Sequence, residues 1–216
     1  HFFDGYKENA EYSLKVLAAA AEAGASRFIL CDTNGGSMTY EVESIVAEVY
    51  KALGVQLGIH THNDCGLAVA NSLAAVKAGA VQVQGTINGL GERCGNADLC
   101  AIIPNLAFKM NKTVLNKASL TKLTEVSRFV YDSANVNLPI NQPFVGPSSF
   151  AHKGGMHVHA VQKSARCYEH IAPEMVGNTR RIIVSELSGA SNLLARSQML
   201  ANLEDKTVVR NILQRV

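Results

Sequence analysis

The first 110 residues repeat one unit: a helix with an apolar stripe, a glycine, a short apolar strand, then a polar loop. Residues 9–24 place Leu14, Leu17, Ala18 and Ala21 on one helical side, with Gly24 as the stop. Residues 27–31 form an apolar strand that ends in Asp32 and Thr33. Thr39 stands where a helix cap is favoured, and Val42, Ile45, Val46, Val49 and Leu53 make the next stripe, up to Gly54. Strand 56–60 follows, then helix 65–78 with Leu67, Ala70, Leu73 and Ala74, Gly79, and strand 81–85. The strand starts at 27, 56 and 81 are 29 and then 25 residues apart. Such alternation predicts a parallel sheet with crossover helices. A further helix near 97–109 is bent or broken at Pro104.

The polar residues of this half cluster just after the strands: Asp32, Thr33, His60, His62, Asn63, Asp64, Glu92, Arg93 and Asn96. In a (β/α)8 barrel those loops form the active face. A doubly wound sheet also uses the carboxyl ends of its strands, but gathers its site at one switch point. Polar tips on consecutive strands favour the barrel. A full barrel takes about 250 residues, so an α/β fold with the C-terminal half of a TIM barrel is expected here. After residue 110 the rhythm stops at a polar connector, NKTVLNKAS. Ser119 is placed to cap a helix to about 134, with Leu120, Leu123, Val126, Phe129 and Val130 as its buried stripe. Pro139, Pro143 and Pro147 make 135–147 extended or irregular. Helices near 149–163 and 186–200 complete a mostly helical subdomain. The expected division is 1–110, a partial barrel, and 111–216, linker and subdomain.

Composition removes several function classes. The formal charge of +2 names no partner, and no basic run with interleaved aromatics points to nucleic acid. No apolar segment reaches membrane-spanning length, and no signal peptide is visible. Five cysteines without a CxxC read as reduced thiols of a cytoplasmic protein. A start at His1, inside apolar and structured sequence, reads as a fragment.

The chemistry-bearing stretch is GIHTHNDCGLAVAN at 58–71. His60 and His62 are i, i+2 at a strand end, so both imidazoles share a face and can meet one divalent metal. The pair also fits two satisfied histidines at a strand end, since two ligands are not a site. GLGERCGN at 89–96 sets glycines beside Glu92, Arg93 and Asn96, either a site loop or a tight loop with a structural salt bridge. AHKGGMHVHA at 151–160 supplies His152, His157 and His159 as acid–base candidates, though surface histidines are commoner. His157 and His159 on a helix would point about 200° apart, which argues against a metal pair. CDTNGG at 31–36 holds a turn, and nothing local activates Cys94.

DTNG at 32–35, HTHND at 60–64, GLGERCGN at 89–96 and HKGGMH at 152–157 occur in this order. Together they resemble the 2-isopropylmalate, homocitrate and citramalate synthases, the acyl-transferring branch of the metal-dependent TIM-barrel lyase and synthase superfamily. HFFDGYK at 1–7, GTINGLGERCGN and SELSGASNLL at 185–194 are most similar to the (R)-citramalate synthase subgroup. The resemblance implies that His60, His62 and Asn96 lie at a metal, and that Thr33 contacts the α-keto acid carboxylate. It also implies that Glu92 lies near a catalytic His157, and that Tyr168 of the same subdomain takes part in the chemistry.

The implied reaction is a Claisen-type condensation of acetyl-CoA with an α-keto acid, with pyruvate giving (R)-citramalate in branched-chain amino-acid biosynthesis. 2-Isopropylmalate or homocitrate synthesis is the alternative. The implied cofactor is a divalent metal, Mg²⁺, Mn²⁺ or Zn²⁺, and acetyl-CoA is co-substrate. The implied partners are these small molecules and a second copy of the chain in a domain-swapped homodimer. An aspartate ligand and an arginine expected on the first barrel strand are not in this sequence. The chain alone is therefore expected to be inactive. The non-enzyme reading is a half-barrel piece that folds only with another chain.

Overall fold

Alternation within Phe28–Asp32 (β1) buries Phe28, Leu30 and Asp32 and leaves Ile29 and Cys31 half-buried on the other face. Leu57–Thr61 (β2) pairs parallel with β1, setting Leu30 opposite Ile59, Cys31 opposite His60 and Asp32 opposite Thr61. Gln82–Gln84 (β3) pairs parallel with β2, with Gln84 opposite His60. The order is β1-β2-β3, so sequential neighbours are spatial neighbours, as consecutive β/α units of a parallel sheet give. The computed structural model describes residues 2–183. It divides into two units, one ending at Val114 and the other beginning at Leu115.

The helices explain the two faces of the sheet. Phe3–Glu8 (α1) and Ala10–Glu22 (α2) precede β1, and the Asn9 side chain caps α2 by accepting from the Tyr12 N–H. Thr39–Leu53 (α3) buries Val42, Ile45, Val46 and Val49, and Gly54 ends it at a φ of 64°. Ala68–Lys77 (α4) closes just before Gly79. Leu30, Leu57, Ile59, Phe28 and the stripe of α3 join Phe3, Tyr6 and Ala75 in one apolar cluster. The opposite sheet face carries Cys31, His60 and Gln82, all half-buried. Polar residues on that face fit the interior of a barrel mouth, where the helices do not reach.

Leu30 is fully buried, so Leu30→Ala removes packed volume that the two-layer sandwich of sheet and helix cannot refill. It is expected to cost about 2–5 kcal/mol. A urea midpoint indistinguishable from that of the unaltered chain would contradict this placement of the core.

Several local expectations are corrected. Thr39 is the first helical residue rather than the cap. Glu41 caps instead, accepting from the Met38 N–H at 2.7 Å, while the Thr39 hydroxyl donates to Asn71. The break expected at Pro104 is found: Leu99–Pro104 (α5) ends there and widens into a π-turn over Asn105–Lys109.

In the second unit the expected helix to 134 is two helices, Lys117–Leu120 (α6) and Leu123–Ala134 (α7). Asn116, not Ser119, caps the first, accepting from the Ser119 N–H at 2.8 Å. The face of α7 that turns inward carries Leu123, Thr124, Ser127 and Tyr131. Phe129 is 69% exposed and Val126 39% exposed. Polar residues win the buried face because they are satisfied there: the Thr124 hydroxyl donates to the Val176 carbonyl at 2.7 Å. Residues 135–150 are irregular. A short parallel pair, Ala151–His152 (β4) with Arg181–Ile182 (β5), takes up the start of the helix expected from 149. That helix begins later, as Gly155–Lys163 (α8). The helix expected near 186–200 lies outside the described residues. Among the described residues no helix is long and apolar enough to cross a membrane.

Candidate active site

Three loops meet at the carboxyl ends of β1, β2 and β3. His60 is on β2 and His62 just beyond it. The His62 N–H donates to the Asp32 carbonyl at 3.1 Å, and His62 pairs with Asn96 as an isolated antiparallel bridge. The strand period holds through the end of β2, so the rings converge: Nε2 of His60 lies 3.3 Å from Nε2 of His62. Two nitrogens each about 2.0–2.1 Å from one ion lie roughly 3–3.5 Å apart in tetrahedral or octahedral geometry. Burial, with the charge of His62 beside it, pulls the His60 imidazole below its ordinary titration range. It is thus neutral near pH 7, the form that binds a metal.

Asn96 is fixed by its surroundings. Its N–H donates to the Gly89 carbonyl at 2.9 Å, and Nδ2 donates to the Leu90 carbonyl at 3.0 Å. The amide nitrogen is thereby committed, and Oδ1 is buried without a partner. Nδ1 of His62 is buried and unpartnered as well. An unsatisfied buried polar atom costs about 1–3 kcal/mol, and here two such atoms belong to His62 and Asn96, whose backbones pair with each other. Two imidazoles and an amide oxygen suit a divalent cation. Among the described residues no cluster of three His, Cys, Asp or Glu side chains forms, so any further carboxylate ligand is not among them.

The GLGERCGN loop follows from its glycines. Asn88, Gly89, Arg93 and Gly95 all take positive φ. A side chain at Gly95 would meet the Gly89 carbonyl oxygen, and one at Gly91 would meet Asn96 Nδ2. The loop therefore folds back tightly enough to present Asn96. Its ion pair is made with another loop: Arg93 binds Asp64 through Nε at 2.7 Å and Nη2 at 3.0 Å. Glu92 is 87% exposed and 3.9 Å from Arg93 Nη1. Thr33 offers its carbonyl to Arg93 Nη2 at 2.8 Å. Asp32, just before it, is fully buried; burial raises its carboxyl titration range, and hydrogen bonds from the Ser37 hydroxyl and N–H partly offset this.

His157 and Tyr168 belong to the second unit. Their rings stack at 4.1 Å between centroids and 26° between planes. Tyr168 is 47% exposed and His157 is exposed, so both are reachable by a substrate. His152 is not an available acid–base group: it is buried against Glu169, Nε2 to Oε1 at 3.1 Å. Arg180 completes the cluster with two bonds, Nε to Oε1 and Nη2 to Oε2, both at 2.5 Å. No local spacing announces this cluster, because Glu169 lies 17 residues from His152 and 11 from Arg180.

Burial would raise the Glu169 carboxyl, but the bonds and charges of Arg180 and His152 prevail and hold it below its ordinary range. A carboxyl lowered on folding adds stability that is complete above its ordinary range and is lost as the pH falls through the lower, folded value. The second unit is therefore expected to weaken below about pH 4.5. Glu169→Gln should lower stability at neutral pH and flatten this acid loss. Urea unfolding at neutral and acid pH measures both, and an equal acid loss in the variant would contradict the assignment.

Parallel β/α units in sequential order, with their polar residues at the strand tips, define a section of an α/β barrel. The comparisons agree. Residues 3–130 match the HMGL-like family, and residues 144–216 match the homocitrate synthase post-HMGL domain-like family. The chain belongs to the HMGL-like family, in its branch of citramalate, 2-isopropylmalate and homocitrate synthases. It is 56% identical over 198 residues to the (R)-citramalate synthase of Geobacter sulfurreducens, covering 92% of this chain and 38% of that protein. Identity to the 2-isopropylmalate synthase of Sulfolobus acidocaldarius is 37%, over 99% of this chain and 55% of that protein. The HMG-CoA lyase structure from Bacillus subtilis aligns with a TM-score of 0.52 and 25% identity, over 58% of this chain and 44% of that one. The chain spans 37–42% of the length of the (R)-citramalate synthases it matches.

Proposed function

We propose that this protein carries part of the active site of a metal-dependent enzyme that condenses acetyl-CoA with pyruvate to give (R)-citramalate. The observation that carries the reading is the 3.3 Å convergence of His60 and His62, with an orphaned side-chain oxygen on Asn96, the residue bridged to His62, in a chain 56% identical to an (R)-citramalate synthase. His60, His62 and Asn96 would hold the metal, Mg²⁺, Mn²⁺ or Zn²⁺. When bound, the ion supplies Lewis acidity for the ketone of the α-keto acid.

The remaining steps fall to the chain's own groups. Thr33 binds and orients the keto-acid carboxylate. His157, oriented by Glu92, moves the proton that leaves the acetyl methyl group, and the resulting enolate carbon attacks the ketone carbon. Tyr168, stacked on His157, delivers or orients the proton taken up by the new alkoxide. Water then cleaves the thioester and releases CoA as its thiol, which makes condensation irreversible. His157 and Tyr168 would act in the barrel of a second copy, with the irregular stretch 135–150 giving the reach for a swapped homodimer. Five free thiols suit a reducing, cytoplasmic setting.

The test replaces the matching segment of the Geobacter relative with residues 1–216 and follows thiol release from acetyl-CoA. Pyruvate is expected to exceed 2-oxoisovalerate and 2-oxoglutarate in kcat/KM by about tenfold or more. No turnover with any of them, or preference for a longer keto acid, would overturn the pyruvate reading. Preference for 2-oxoisovalerate would instead make it a 2-isopropylmalate synthase.

A further inference from the structure

One side chain joins the ends of all three strands. Arg93 follows β3, Asp64 follows β2 and Thr33 follows β1. Arg93 donates to both Asp64 oxygens, at 2.7 and 3.0 Å, and to the Thr33 carbonyl at 2.8 Å. The planar guanidinium can make this pattern because its donors are fixed in a fork, whereas an ammonium is a point charge without that geometry. The loops have closed to match. A side chain at Gly35 would place its Cβ 2.5 Å from Asp64 Oδ2, and the Cys65 N–H donates to the Gly35 carbonyl at 3.2 Å. Arg93 itself takes a φ of 55°, a conformation that non-glycine residues seldom adopt unless their surroundings hold them there.

An exposed ion pair of this kind contributes little to global stability. Arg93 is 44% exposed and Asp64 23%, so the clamp is not explained by the core. What it does fix is local. Thr33 is held by its own carbonyl, and Asp64 is two residues from His62.

We infer that Arg93 is a positioning residue: through Asp64 and the Thr33 carbonyl it sets the keto-acid contact at Thr33 against the histidine pair on the neighbouring loop. This rests on the function proposed above. It adds a residue whose role is neither to bind metal nor to touch substrate.

The test has two arms. In the first, Arg93→Ala and Arg93→Lys are made in the Geobacter-based chimera. KM for pyruvate is expected to rise about 10- to 100-fold, the range for loss of a group that orients a site residue. The value of kcat should change less than about threefold, and the urea midpoint should not move. Asp64→Asn should reproduce the KM effect, and the double variant should be far from additive. A kcat loss with unchanged KM, or a drop in stability that accounts for the whole effect, would overturn the inference. So would full rescue by Arg93→Lys.

The second arm does not depend on the reaction. In ¹⁵N–¹H spectra of the 216-residue chain, Arg93→Lys is expected to shift the Thr33, Gly35, His62 and Asp64 amides while leaving Leu30 and Ile59 in place. Shifts confined to residues 92–94 would contradict the clamp. Propagated shifts in a chain whose chimera rejects pyruvate would leave the clamp standing and remove the proposed function.

Discussion

His60→Ala and His62→Ala are each expected to weaken divalent-metal affinity by about 100-fold or more, since loss of a mere supporting group already costs 10- to 100-fold. That is at least about 2.7 kcal/mol per site. The effect should be local. His60 is half-buried on the sheet face away from the helices, while its neighbours Leu57 and Ile59 are fully buried and keep the strand in place. Calorimetric titration of the chimera with Mn²⁺ or Zn²⁺ reads the affinity, and far-ultraviolet dichroism checks the fold. The lowered titration range of His60 adds a direction: binding should hold steady from neutral pH until protonation competes at acid pH. Unaltered affinity in both variants would show that the two rings meet for another reason, such as a shared proton.

His157→Ala is expected to reduce turnover by about 10²- to 10⁴-fold, the usual contribution of a positioned acid–base group. Metal affinity and the KM for pyruvate should stay nearly unchanged. Tyr168→Phe keeps the ring that stacks on His157 at 4.1 Å, so any loss it causes belongs to the hydroxyl. The His157 variant also separates the two units. Mixed with a His60→Ala, His62→Ala double variant, it should form heterodimers with one intact composite site and recover part of the activity. No recovery, despite demonstrated subunit exchange, would place His157 in the site of its own barrel or outside catalysis.

The barrel half was legible because its signals are periodic and local. The stripe of α3 and the runs Phe28–Asp32 and Leu57–Thr61 need only spacing to be read, and spacing also predicts that His60 and His62 share a face. The second unit was harder because tertiary partners overrode pattern. Val126 and Phe129 look like core by period, yet Thr124 and Ser127 are buried instead, since a backbone carbonyl 52 residues away satisfies the Thr124 hydroxyl. The GLGERCGN motif drew notice to Glu92 beside Arg93, but the close partner of Arg93 is Asp64, 29 residues back. His152 reads as an acid–base candidate by sequence and is buried in an ion cluster that pairing of β4 with β5 assembles. Long-range satisfaction of polar groups leaves no mark in local composition.

The central claim is that His60 and His62 ligate one divalent metal. X-ray absorption on the Zn²⁺-loaded chimera measures this directly, because imidazole rings give a distinctive outer-shell scattering pattern. The account predicts two imidazole nitrogens at about 2.0–2.1 Å with oxygen donors completing the shell, and loss of the imidazole signal in the His60→Ala, His62→Ala variant. A first shell without imidazole, or one that survives both substitutions, would contradict it.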